Sequence, residues 1–197
     1  MHIPPFDNQN KAIIDIHDAY VPLTYFNVVK LEKGQEFSYR IPGYETCIVP
    51  ATGRVDVDVD NTGFGGVGDR GSDVWDGEPE GVYVPTDTPA QMVCKSDGCE
   101  IFVAGARFDG RLIPFAVHKN EIDAVQYGSD DTKTHRKIKH ILGQKQADKV
   151  GRLLVSELYT VGAGGWSGFP PHKHDTCLLY TSPSPRDLST SRMPSSA

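Results

Sequence analysis

The chain has 197 residues, 38% of them hydrophobic and 23% charged, with a formal net charge of −6. That apolar content can fill a core and excludes wholesale disorder. An excess of 26 acidic over 20 basic residues argues against a nucleic-acid partner, and no apolar run is long enough to cross a bilayer.

The opening MHIPPFDNQNK has neither a basic stretch nor an apolar one, so no secretory signal is expected and the location is read as cytoplasmic. Short runs rich in Val, Ile, Phe, Tyr and Thr then follow: TYFNVVKLE, EFSYRI, TCIVPATGRVDVDVD, EGVYVP, QMVC and CEIFVAGARF. Gly, Pro, Asn and Asp separate them at short intervals, the pattern of an all-β sandwich or barrel. VDVDVD alternates strictly, as a strand does with one face buried and the other wet. Prolines at 42, 50, 79, 85 and 89 disfavour a long helix here. Cys47, Cys94, Cys99 and Cys177 follow no zinc-ligand spacing. Cys94 and Cys99 flank a KSDG turn and could face each other across a hairpin. Compartment logic nevertheless favours reduced thiols.

These runs define an N-terminal β domain over residues 1–118. Residues 119–150 are charged, poor in aromatics, and read as a connection between domains. Residues 151–176 supply two further strand-like segments, RLLVSELYTVG and GGWSGFPPHKHD, the start of a second β domain. From Cys177 to Ala197 the character changes to a Ser- and Pro-rich tail that reads as disordered. Cys177 through Asp187 back-translates to a string resembling the transposase adapter of short-read sequencing libraries. The closing SRMPSSA resembles flow-cell adapter. Residues 177–197 are therefore read as non-native.

Three groupings invite a chemical reading. Gly66–Gly71 fits GxGxxG, but the following SDVWDGEPEG cannot form the helix a dinucleotide site requires, so a glycine-rich loop between strands is expected. The basic stretch from Lys133 to His140 is most simply a solvated charge run. Arg136 is its one member singled out as a substrate-binding candidate, since a guanidinium can grip a carboxylate through two bonds. In PPHKHD, His172 and His174 are two apart and project to one face of a strand, where both can reach one metal ion. Surface histidines are the simpler explanation of such spacing; the Gly-rich, aromatic lead into a strand favours a metal site.

With ETCIVPATGRVDV, GDRGSDVWDGEPEGVYVP, RKIKHIL, LLVSELYT and, most specifically, WSGFPPHKHD, the chain resembles the 5-deoxy-glucuronate isomerases of inositol catabolism. These lie in a wider family that includes the 4-deoxy-uronate isomerases. The resemblance implies a bicupin with its metal in the C-terminal half, where His172 and His174 match the first two ligands. The family completes its site with a later glutamate and histidine; neither residue type occurs here after Asp175, which itself alternates to the wrong face. The implied cofactor is a divalent metal, zinc, with manganese or iron as alternatives. A small sugar acid is the implied substrate, metal-assisted aldose–ketose isomerisation the implied reaction, and a homo-oligomer an open option. The fragment itself is expected to be inactive, and no catalytic residue is named. The alternatives are a 4-deoxy-uronate isomerase of pectin degradation and a non-catalytic sugar-binding cupin.

Overall fold

The alternating valines become half of a 16-residue strand, Tyr44–Val59. Val55, Val57 and Val59 are buried there, while Asp58 is exposed and Asp56 half-buried. The computed structural model describes residues 7–162 and 164. Strands β1 (Thr24–Glu32), β2 (Glu36–Tyr39), β3 (Tyr44–Val59) and β4 (Thr62–Arg70) are followed by β5 (Gly81–Val84), β6 (Ala90–Cys94), β7 (Gly98–Arg107) and β8 (Phe115–Val117). All pair antiparallel.

β3 belongs to two layers. Its first half pairs with β7 and β5, in the order β1-β7-β3-β5-β8. Its second half pairs with β6 and β4, and β6 also carries β2. Register shifts between Pro50 and Thr52, and again between Gly53 and Val55, mark where the strand turns from one layer to the other. Pro50 has no N–H to offer the ladder, which suits such a break. Between the layers lie Val29 and Leu31 of β1, Val55, Val57 and Val59 of β3, Met92 of β6, and Ile101 and Val103 of β7. Each such side chain contributes about 1.5–3 kcal/mol by leaving water. The all-β expectation stands, with the sheets sandwich-like rather than closed into a barrel.

Two expectations need correcting. The glycine-rich GxGxxG segment is not a loop, because Gly66 and Gly68 lie within β4. Gly68 has φ +104°, and a Cβ there would sit 2.5 Å from the Gly53 carbonyl oxygen. Its glycine serves a close strand crossing rather than a phosphate. Cys94 and Cys99 are not free thiols but a disulfide, their Cα atoms 6.1 Å apart at the ends of β6 and β7. The hairpin geometry outweighs the compartment argument; Cys47 is buried and free.

The charged stretch expected as a connection holds two strands, β9 (Asp123–Tyr127) and β10 (Arg136–Leu142). With β11 (Val155–Thr160) they form a second antiparallel sheet, ordered β11-β10-β9. Ile141 and Leu142 of β10, with Leu153, bury against Cys47, Val49, Tyr83, Ala106 and Val117 on the back of the first layer. Gly81 permits this approach, since a Cβ there would lie 2.7 Å from Ile141 Cγ2.

One buried acid ties the two parts together. Glu45 on β3 is fully buried. Its carboxylate accepts the Tyr83 hydroxyl at 2.6 Å, the backbone N–H groups of Gly151 and Leu153 at 2.8 Å each, and that of Arg152. Burial pushes the Tyr83 phenol well above its ordinary pKa, and the bond to Glu45 adds to the shift. Glu45→Gln would turn an amide N–H₂ toward these donors and leave at least one unpaired. Urea unfolding of that variant is expected to show a loss of about 2–3 kcal/mol, the cost of an unsatisfied buried group facing charge-assisted partners. Wild-type stability would refute the clasp.

Candidate functional site

The alternation of β11 aims Glu157 and Tyr159 at one face and Leu158 at the other. Register places Lys139 opposite Glu157 and Lys137 opposite Tyr159, so all four share the face toward the first layer. Across the gap stands Arg70, at the end of β4, its side chain almost wholly buried. Its guanidinium donates to both Glu157 oxygens, Nη1 to Oε1 at 2.7 Å and Nη2 to Oε2 at 2.5 Å. Nη2 also reaches the Tyr159 hydroxyl at 3.0 Å, and Nε reaches the Gly77 carbonyl at 3.2 Å. Tyr159 in turn donates to Glu157. Such a two-pronged, charge-assisted pair is both strong and directional.

Around this network runs a cleft of about 460 Å³, lined by Val74 to Glu78 on one side and by Lys137, Lys139 and Tyr159 to Gly162 on the other. The short 3₁₀ turn Val74–Asp76 is held by a reciprocal cap, Asp73 accepting from the Trp75 N–H and Asp76 from the Asp73 N–H. Trp75 meets Tyr159 edge to face at 5.0 Å. Lys139 is buried, paired with Glu78 at 2.5 Å, and lies 4.7 Å above the Tyr159 ring.

Electrostatics follow from this geometry. Burial alone would raise the Glu157 pKa, but the Arg70 guanidinium and the Tyr159 hydroxyl outweigh it and hold the carboxyl below 4.5. Burial would lower the Arg70 pKa, yet Glu157 carries it above the ordinary guanidinium value. Burial, with Glu157 beside it, raises the Tyr159 phenol.

The residues singled out from sequence are distributed differently. Arg136 lies on the opposite, outward face of the second sheet, in register with Tyr127 and Thr160. Its guanidinium carbon sits 5.8 Å from the Tyr127 ring centroid, and its buried Nε has no hydrogen-bond partner. His172 and His174 lie outside the described residues. Among the described residues, no group of three or more His, Cys, Asp or Glu side chains comes together to hold a metal ion. Sequence reasoning missed Arg70, Trp75, Glu157 and Tyr159 as a unit. The E-x-Y spacing on a strand marks two residues of one face, but nothing local names Arg70, 87 positions away, as their partner.

A family profile described as KduI/IolB family matches residues 2–182. The chain belongs to the KduI/IolB family. The match runs past Cys177, where the foreign tail was expected to begin. Curated relatives of this KduI/IolB chain include 5-deoxy-glucuronate isomerases. That of Bacillus velezensis is 32% identical over 179 residues, covering 87% of this chain and 64% of the relative. That of Bacillus subtilis strain 168 is 29% identical over 171 residues, covering 85% and 61%. The chain therefore spans about three fifths of the length of these relatives. An IolB-like protein of known structure from Salmonella typhimurium LT2 superposes with TM-score 0.64 at 26% identity, over 70% of this chain and 51% of that one. No helix among the described residues is long and apolar enough to cross a membrane.

The Glu157 carboxyl gives the fold a defined acid response. Its pKa is lowered by folding, so its contribution is complete above the unfolded value near 4.5 and is lost as pH falls through the folded value. Unfolding free energy is expected to drop as pH falls below about 4.5, and Glu157→Gln to flatten that drop. At neutral pH, Arg70→Met strands the Glu157 charge and should cost about 3 kcal/mol. Equal pH profiles for wild type and Glu157→Gln would contradict the assignment.

Proposed function

We propose that this chain is part of a sugar-acid isomerase that converts 5-deoxy-glucuronate to 5-dehydro-2-deoxy-gluconate in the cytoplasm. The observation carrying this reading is the similarity to relatives of that name along 85–87% of the chain. The reaction moves a hydrogen within one molecule. A base removes the proton from the hydroxyl-bearing carbon beside the aldehyde, an acid delivers one to the former aldehyde carbon, and the hydroxyl carbon becomes the ketone. The charge that develops on oxygen in between must be stabilised. A divalent metal, zinc or alternatively manganese or iron, held by His172 and His174, would supply electrophilic polarisation of the carbonyl.

The described residues serve positioning in this reading. Arg136 grips the substrate carboxylate, supported by its free Nε and its place on the outward face of the second sheet, one strand before the segment that leads to His172. The first sandwich and the Arg70–Glu157 pair hold that sheet in place. In the sequence after Asp175 there is neither a glutamate nor a histidine to complete the ligand set, so residues 1–197 alone are expected to be inactive.

Sequencing, activity assays, variant kinetics and elemental analysis test this. Reading the nucleotide sequence across codon 176 identifies the encoded polypeptide, which is then assayed with 5-deoxy-glucuronate and 4-deoxy-uronate side by side. Turnover of the first supports the proposal; turnover of the second alone favours a pectin-degrading isomerase, and of neither a non-catalytic sugar-binding cupin. Turnover by residues 1–197 alone would refute the fragment's inactivity. In the active polypeptide, Arg136→Met is expected to raise KM at least about tenfold with little change in kcat, the pattern of lost ground-state binding. Replacing His172 and His174 together by Ala should remove the bound metal, read by elemental analysis.

A further inference from the structure

The Trp75 cleft contains more than the clasp needs. The Arg70–Glu157 and Lys139–Glu78 pairs neutralise each other, and Asp76 is turned back to its own turn. Lys137 is different. It is exposed on the cleft wall, and among the described residues it forms no ion pair. Trp75 is also exposed, at 70%, although its turn is closed by the reciprocal Asp73–Asp76 cap and its ring is steadied by Tyr159. Trp75 thus offers the cleft an aromatic face already fixed in place.

We propose that this cleft binds a carboxylated sugar, with the pyranose C–H face against Trp75 and the carboxylate on Lys137. The chemistry is that of an aromatic platform beside a single unneutralised ammonium: the ring takes the apolar face, and the cation takes the anion. Glu78, on the wall opposite Lys137, offers a hydrogen-bonding group for a hydroxyl. The preorganised turn means that little ordering is lost on binding. The choice of a sugar acid as ligand rests on the isomerase reading; the platform and the free cation do not.

The chain has two tryptophans, Trp75 and Trp166, so Trp166→Phe leaves Trp75 as the sole indole reporter. Titrating that variant of residues 1–197 with D-glucuronate is expected to change Trp75 emission saturably. D-glucose should bind at least about tenfold more weakly, as should D-glucuronate to the added variant Lys137→Met, each having lost one charge-assisted contact. Lys137 is exposed, so that variant is expected to unfold thermally at the wild-type temperature, which shows that any loss is not a loss of fold. No saturable change with glucuronate, equal affinity for glucose, or an unaltered Lys137→Met variant would each overturn the site. Because this titration measures binding alone, its failure beside a positive isomerase assay removes the cleft and leaves the proposed activity standing.

Discussion

A carboxylate with no access to water must have its hydrogen-bonding capacity met inside the protein. Glu45 meets it with one phenol and three consecutive backbone N–H groups. Those amides belong to the short segment before β11, which would otherwise leave several donors unpaired against an apolar surface. The position of that segment sets where β11 starts. The start of β11 sets its register on β10, and that register sets which residues face the first layer. A single acid in the middle of a sandwich strand thus orients a sheet more than 100 residues later in the chain.

The second link is made at the far end of the same interface. Arg70 reaches across from β4 and takes both oxygens of Glu157, while Tyr159 closes the triangle. Apolar packing of Ile141, Leu142 and Leu153 supplies area, but such packing is tolerant of sliding. The two carboxylates are not tolerant, because each has directional partners. The sheet is accordingly held at two points, which keeps the Trp75 turn opposite Lys137 and the cleft open between them.

Legibility from sequence varied with the kind of signal. β1, β3 and β7 were readable because Val, Ile and Phe recur at the period of a strand. β4 was not, since TGFGGVGDR has few side chains to carry any period and resembles a nucleotide loop in spelling alone. β9 and β10 were hidden by charge. Lys137 and Lys139 read as solvated, yet Lys139 is buried by Glu78 and the Tyr159 ring. Arg136 was noticed for its chemistry, and its outward direction only became visible once β10 had neighbours. The disulfide turned on a proximity that the KSDG turn permits but does not compel.

By itself, the sequence determined the all-β class, the strand faces wherever apolar residues alternate, and membership of a family. All of these are properties of local period or of linear similarity. The tertiary structure alone decided that Glu45 serves residues 151–153, that Arg70 finds Glu157, and that Trp75 and Lys137 line one cleft. The reason is physical. Strand period is set by backbone geometry two residues at a time, whereas a partner 87 to 108 positions away is chosen by how the sheets fold over each other.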